Sequence, residues 1–156
     1  MQQDYDERYR VLEECIEEAG SKVIVFLPYT VMINHIYEKL SKRWTCAIVD
    51  GNVSANKRNQ IFKDFQDAKD PHILVANPAA MSHGLTLTAA NTIAWYAPIH
   101  SGEIYPQANA RVRRPGQKQI SNIIHIFATD TERKIYNALR NKTSFQELVL
   151  DLVKNT

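Results

Sequence analysis

Five short apolar runs, each followed by turn or cap residues and separated by amphipathic stretches, restrict this chain to very few architectures. Val23-Ile24-Val25-Phe26-Leu27 stops at Pro28, and Cys46-Ala47-Ile48-Val49 runs into the turn Asp50-Gly51-Asn52. Ile73-Leu74-Val75-Ala76 ends at Asn77-Pro78, Thr92 to Tyr96 gives way to Ala97-Pro98, and Ile120 to Phe127 closes the series. Continuous, largely β-branched runs of this length read as strands buried on both faces. The stretches between them carry helical spacing. Tyr5, Tyr9, Leu12, Ile16 and Ala19 form a stripe that Gly20 terminates. Thr30 is expected to cap a helix reaching about Ser41, with Ile33, Ile36, Tyr37 and Leu40 inward. Ser54 is expected to cap a third, burying Ile61, Phe62 and Phe65, while Ala79 to Ala90 reads as loop around Gly84. Thr131 to Asn141 and Ser144 to Lys154 read as two closing helices.

Strand and helix alternating at this spacing imply right-handed crossovers. The predicted fold is α/β, a three-layer parallel sheet with helices on both faces. Ligands in such sheets bind beyond the carboxyl ends of the strands. Those ends are Pro28-Tyr29-Thr30, Asp50-Gly51-Asn52, Asn77 to Gly84 and Ala97 to Gly102, and the segment after the fourth run is expected on the same rim.

The 156 residues predict one domain, residues 1–156, with enough length for a core of its own. Cys15 and Cys46 make neither a metal spacing nor a disulfide framework, and are expected as reduced, interior thiols. No apolar run approaches the roughly 18 residues of a membrane span, and the acidic N-terminus is no signal peptide. The net charge of +2 conceals an asymmetry: beyond residue 20 there are 17 bases against 10 acids. That excess is compatible with a polyanionic partner, as it is with an ordinary surface beside an acidic first helix. There is no G-x-x-x-x-G-K-[ST] phosphate loop and no G-x-G-x-x-G, and the five histidines His35, His72, His83, His100 and His125 are scattered.

Set against that absence of catalytic machinery, Gln107 to Gln117 reads Q-A-N-A-R-V-R-R-P-G-Q. If Gln107 to Arg114 is helical, Gln107, Arg111 and Arg114 share one face at i, i+4 and i+7, with Ala108 and Val112 free to touch the body. Two guanidinium groups there would suit a phosphate, although a solvated basic helix end would carry the same residues.

Several blocks in order resemble the C-terminal RecA-like lobe of superfamily-two helicases, specifically the Swi/Snf-type DNA translocases in their compact phage and bacterial form. Lys22 to Thr30, K-V-I-V-F-L-P-Y-T, is similar to the first conserved strand of that lobe. Asp50 to Phe65, D-G-N-V-S-A-N-K-R-N-Q-I-F-K-D-F, is similar to the block that follows that strand, and Ile73 to Ala90, ending H-G-L-T-L-T-A-A, resembles the fifth helicase motif. Gln107 to Gln117 fits the sixth, Q-A-x-x-R-x-x-R-x-G-Q, and Asp130-Thr131-Glu132 with Lys142 resembles the closing T-x-E…K segment. The chain departs from the pattern at Met81-Ser82, where glycine is common, at Thr86 for asparagine, and at His100, often tryptophan.

The resemblance implies a RecA-like lobe without the phosphate loop, the second of two lobes that close on ATP. The first, N-terminal lobe would be the partner that holds the phosphate loop and Mg2+. Arg111 and Arg114 would be arginine fingers stabilising charge on the γ-phosphoryl group, with Gln107 and Gly84 at the nucleotide. Tyr29, Thr30, Asn52, Lys57, Arg58, Ser82 and His83 would line a track for DNA, in duplex form, and Arg113 would be surface charge. A cytoplasmic enzyme of a bacterial or phage-infected cell is the implied setting. Two alternatives share the fold: a non-catalytic DNA- or protein-binding module, and an RNA helicase lobe. Gln107 and Gly116-Gln117 argue against the second, whose sixth motif usually opens with histidine.

Overall fold

The computed structural model describes residues 2–81, 86–112 and 122–154, with side chains described for 7–81, 86–112 and 122–142. Ser82, His83, Gly84, Arg113 and Arg114 fall outside those ranges.

Every expected strand forms: β1 Lys22–Phe26, β2 Cys46–Val49, β3 Ile73–Ala76, β4 Ala90–Trp95 and β5 Asn122–His125. All four pairings are parallel, in the order β2-β3-β1-β4-β5. The central strand β1 aligns Val23 to Phe26 with Ile73 to Ala76 on one side and with Thr92 to Trp95 on the other. Hence β1, β3 and β4 lack a solvated face, which explains runs without polar alternation.

Alternate residues feed two cores. Ile24, Phe26, Leu74, Ala76, Ile93 and Trp95 face one layer, where they meet α3 (Ala55–Asp67), α4 (Ile104–Asn109) and α5 (Asp130–Lys154). Val23, Val25, Ile73, Val75, Ala94 and Tyr96 face the other, under α1 (Gln2–Ala19) and α2 (Thr30–Leu40). The helical stripes supply the opposing surfaces, with Leu12 and Ile16 from α1, Ile33, Ile36 and Leu40 from α2, and Phe62 and Phe65 from α3 all buried. Each such side chain contributes about 1.5–3 kcal/mol relative to exposure.

Local chemistry sets the boundaries. Gly20 ends α1 at φ +64, a left-handed conformation that side chains with a Cβ avoid. Ser54 caps α3, its hydroxyl accepting from the Lys57 amide at 3.3 Å. Three expectations are corrected. Thr30 does not cap α2: Tyr29 occupies that position at φ −128, ψ 141, with no side-chain cap, and Thr30 is the first helical residue. The two closing helices are one, because no glycine or proline stands between Asn141 and Ser144 and the residues there carry only a modest helix penalty. Both cysteines are reduced but half-buried rather than fully interior; burial pushes the Cys46 thiol up to about 11.

Candidate functional site

The parallel sheet brings its strand ends together. The Leu27 amide donates to the Ala76 carbonyl at 3.0 Å, the Asn77 amide to Val49 at 2.9 Å and the Tyr96 amide to Phe26 at 3.0 Å. Asn77 ties this rim further. Its Nδ2 donates to the Pro28 carbonyl at 3.3 Å, and its Oδ1 accepts from the Ala79 amide at 2.9 Å. One side chain therefore joins the end of β1 to the 3₁₀ turn Pro78–Met81.

On this rim Tyr29 is 62% exposed and Val31 81%. Thr30, Asn52 and Lys57 are exposed and Arg58 is half-buried. The Asp50 carboxylate, only 5% exposed, accepts from the Asn52 amide at 3.0 Å and so shapes the turn that presents Asn52.

The arginine segment is built differently from the expected continuous helix. α4 spans only Ile104–Asn109, and Ala110–Val112 winds as a 3₁₀ turn. Its tighter steps carry Arg111 further around the axis from the exposed Gln107 than α-helical spacing would. Ala108 and Val112 are buried, as their spacing predicts. The segment also leaves the rim. The Arg111 carbonyl accepts from the Leu87 amide at 2.6 Å, and the Leu87 carbonyl in turn accepts from Ala90, the first residue of β4. Arg111, half-buried, thus lies down the sheet face, toward the opposite end of the strands. The rim expectation holds for Tyr29 and Asn52 and fails for Arg111, because α4 runs back over the sheet after turning at the rim.

What fixes that segment was not legible beforehand. Trp95 Nε1 donates to Asn109 Oδ1 at 2.8 Å in the core. Phe26, Trp95, Tyr105, His125 and Tyr136 pack ring against ring in sequence, with neighbouring centroids 4.6–5.8 Å apart. The Tyr136 hydroxyl lies 3.1 Å from the Trp95 carbonyl and 2.9 Å from that of Ile126. These residues come from five separate elements, so their connections carried no signal in the sequence.

The closing motif has a structural role. Thr129, one residue before the helix, accepts from the Glu132 amide at 3.1 Å, and Glu132 accepts from the Ala128 amide at 3.1 Å, a variant of the capping box. Glu132 also pairs with Arg8 at 2.5 Å, tying α1 to α5. Lys142 lies over Gly102: a Cβ built on that glycine would sit 2.7 Å from the lysine Cδ.

Burial pushes His125 from 6.5 down to about 4, with the Arg140 charge adding to the effect. A neutral ring lets the Tyr105 hydroxyl, 2.7 Å away, donate to its Nε2. The unfolded chain binds the proton more readily between these two values, so folding stability falls as pH drops from about 6.5 toward 4. Urea titrations across that window should show a shallower decline for His125→Gln, which keeps an acceptor for Tyr105 without the titration. An unchanged slope would place the acid sensitivity elsewhere.

Among the described residues no three His, Cys, Asp or Glu side chains converge as metal ligands would. Nor, among them, is any helix long and apolar enough to cross a membrane.

Comparison with known proteins assigns the family. Residues 7–116 match the helicase conserved C-terminal domain. The DNA repair protein rhp54 of Schizosaccharomyces pombe is 29% identical over 146 residues, covering 91% of this chain and 17% of the relative. The SWI/SNF-related matrix-associated actin-dependent regulator of chromatin subfamily A-like protein 1 of Xenopus tropicalis is 29% identical over 119 residues, covering 76% of this chain and 13% of the relative. The crystal structure of the C-terminal part of the Fun30 ATPase domain superposes with a TM-score of 0.74 at 25% identity, over 86% of this chain and 44% of that one. The chain therefore spans less than a fifth of these two curated relatives. With its five-stranded parallel sheet and its ordered motifs, the chain belongs to the helicase conserved C-terminal domain family, as a RecA-like lobe of the Swi/Snf type.

Proposed function

We propose that this chain is the second motor lobe of an ATP-dependent DNA translocase. It would work with an N-terminal RecA-like lobe that holds the phosphate loop and Mg2+. The observation that carries the reading is the anchoring of Arg111 on the sheet face, its carbonyl accepting from the Leu87 amide just before β4. Two surfaces serve two ligands. Arg111 and Arg114, with Gln107 and Gly84, would meet the ATP phosphates across the cleft between lobes. The rim residues Tyr29, Thr30, Asn52, Lys57 and Arg58, with Ser82 and His83, would follow the backbone of duplex DNA.

In that arrangement this chain contributes charge and position. A guanidinium stays cationic and offers up to five N–H donors, so it meets a phosphoryl group gaining negative charge without any proton transfer. Closure of the lobes would bring the arginines to the nucleotide, and the rim would shift along DNA with the same movement. DNA repair and chromatin names among the relatives support DNA as the polymer.

The test is ATP turnover with and without the partner lobe. Alone, the chain should hydrolyse ATP no faster than background. Joined to a first lobe, it should give hydrolysis that duplex DNA stimulates. A joined protein that binds DNA with no stimulated turnover would be the non-catalytic module instead, and stimulation by RNA in preference to DNA would make it an RNA helicase lobe.

A further inference from the structure

We infer that Asn109 is a positioning residue for Arg111, acting through Trp95; the inference rests on the role proposed above for the arginine. Asn109 falls on a variable position of the sixth motif and closes α4, where asparagine is a poor helix former. It is 8% exposed, and a buried amide without a partner is costly. The indole of Trp95, the last residue of β4 and fully buried, has the same need for its N–H. At 2.8 Å each satisfies the other. A buried apolar contact would tolerate sliding of α4 along the face, whereas a single directional bond between two otherwise costly groups does not.

That bond stands two residues before Arg111. On the arginine itself, the carbonyl accepts from the Leu87 amide. The intervening residues wind as a 3₁₀ turn, so the backbone of Arg111 is held from both sides. Trp95 is in turn seated between the Phe26 and Tyr105 rings, with centroids 4.8 and 5.1 Å away. The height and azimuth of Arg111 on the sheet face therefore follow from a side-chain bond to β4. The charge of the finger needs no such bond, but its aim does.

The experiment uses the two-lobe ATPase containing this chain, with three single variants and one double. Asn109→Leu removes the acceptor at similar volume, and Trp95→Phe removes the donor while keeping a ring against Phe26 and Tyr105. Each should lower kcat for DNA-stimulated hydrolysis about 10–100-fold, the usual consequence of an ångström-scale misplacement. The KM for ATP and the DNA concentration giving half-maximal stimulation should stay near wild type. The double variant should be no slower than the slower single. Arg111→Ala is measured alongside. If it turns over normally, the role of the arginine falls and this inference with it. If Arg111→Ala is impaired while a folded Trp95→Phe keeps full kcat, the arginine stands and the positioning role is overturned. Losses that multiply in the double variant would also overturn it, as would a lowered melting temperature with kcat unchanged. Should Asn109→Leu fail to fold, Trp95→Phe decides.

Discussion

Replacing Arg114 by alanine in the two-lobe enzyme should reduce DNA-stimulated ATP hydrolysis by about 10³–10⁵-fold, the range associated with an arginine finger. Arg111→Ala should fall in the same direction. The expectation rests on what the residue would do at the transition state. The γ-phosphoryl group passes through a state with charge spread over its equatorial oxygens, and a fixed cation is stronger there than in water. Ground-state binding gains less, so the loss should appear in kcat more than in the KM for ATP. DNA affinity should stay close to wild type, because the proposed track lies on the strand-end rim and Arg111 lies down the face. Lysine should rescue poorly at either position: a compact ammonium cannot reproduce the planar, bidentate fork. Near-normal turnover in Arg114→Ala would remove the finger role from this segment. Steady-state ATPase rates with and without saturating duplex DNA make the measurement.

The platform was legible in the sequence to within a few residues, and the reason is physical. Parallel strands buried on both faces must be continuously apolar, and the runs from Val23, Ile73 and Thr92 are buried in this way, whereas the edge run from Cys46 is largely half-buried. Gly20 and Ser54 fixed helix ends through conformation and capping that act within a turn. Thr30 is not the cap because Tyr29, with its extended backbone, takes that position. The arginine segment was harder. Its spacing assumes a continuous α-helix, but the turn at Ala110–Val112 tightens to bring Val112 into the core and to offer the Arg111 carbonyl to Leu87. That is tertiary structure overriding local spacing, and no window of eleven residues contains Leu87 and Arg111 together. Trp95 and Asn109 were hidden for the same reason: they stand in different elements, and only the packing of α4 on β4 brings them together.

Phe26→Ala should separate the platform from the chemistry it carries. Phe26 closes the central strand, is fully buried, and packs its ring against Trp95 at a tilt, with centroids 4.8 Å apart. Truncating a buried phenylalanine costs about 3–5 kcal/mol through lost transfer energy and the cavity left behind. Relaxation is limited here, because β1 is hydrogen-bonded on both sides and Trp95 is held by Asn109 and by its ring neighbours. Against a typical total of about 5–15 kcal/mol, this is a large fraction of the stability of the chain. Urea denaturation of the chain should show a midpoint lowered accordingly with a similar slope, since the surface exposed on unfolding hardly changes. Arg111→Ala should show the opposite pattern, a midpoint lowered less with turnover lost, because alanine keeps the backbone carbonyl that accepts from the Leu87 amide. A Phe26→Ala chain with an unchanged midpoint would mean that the aromatic column of Phe26, Trp95 and Tyr105 does not support the sheet face on which Arg111 is mounted.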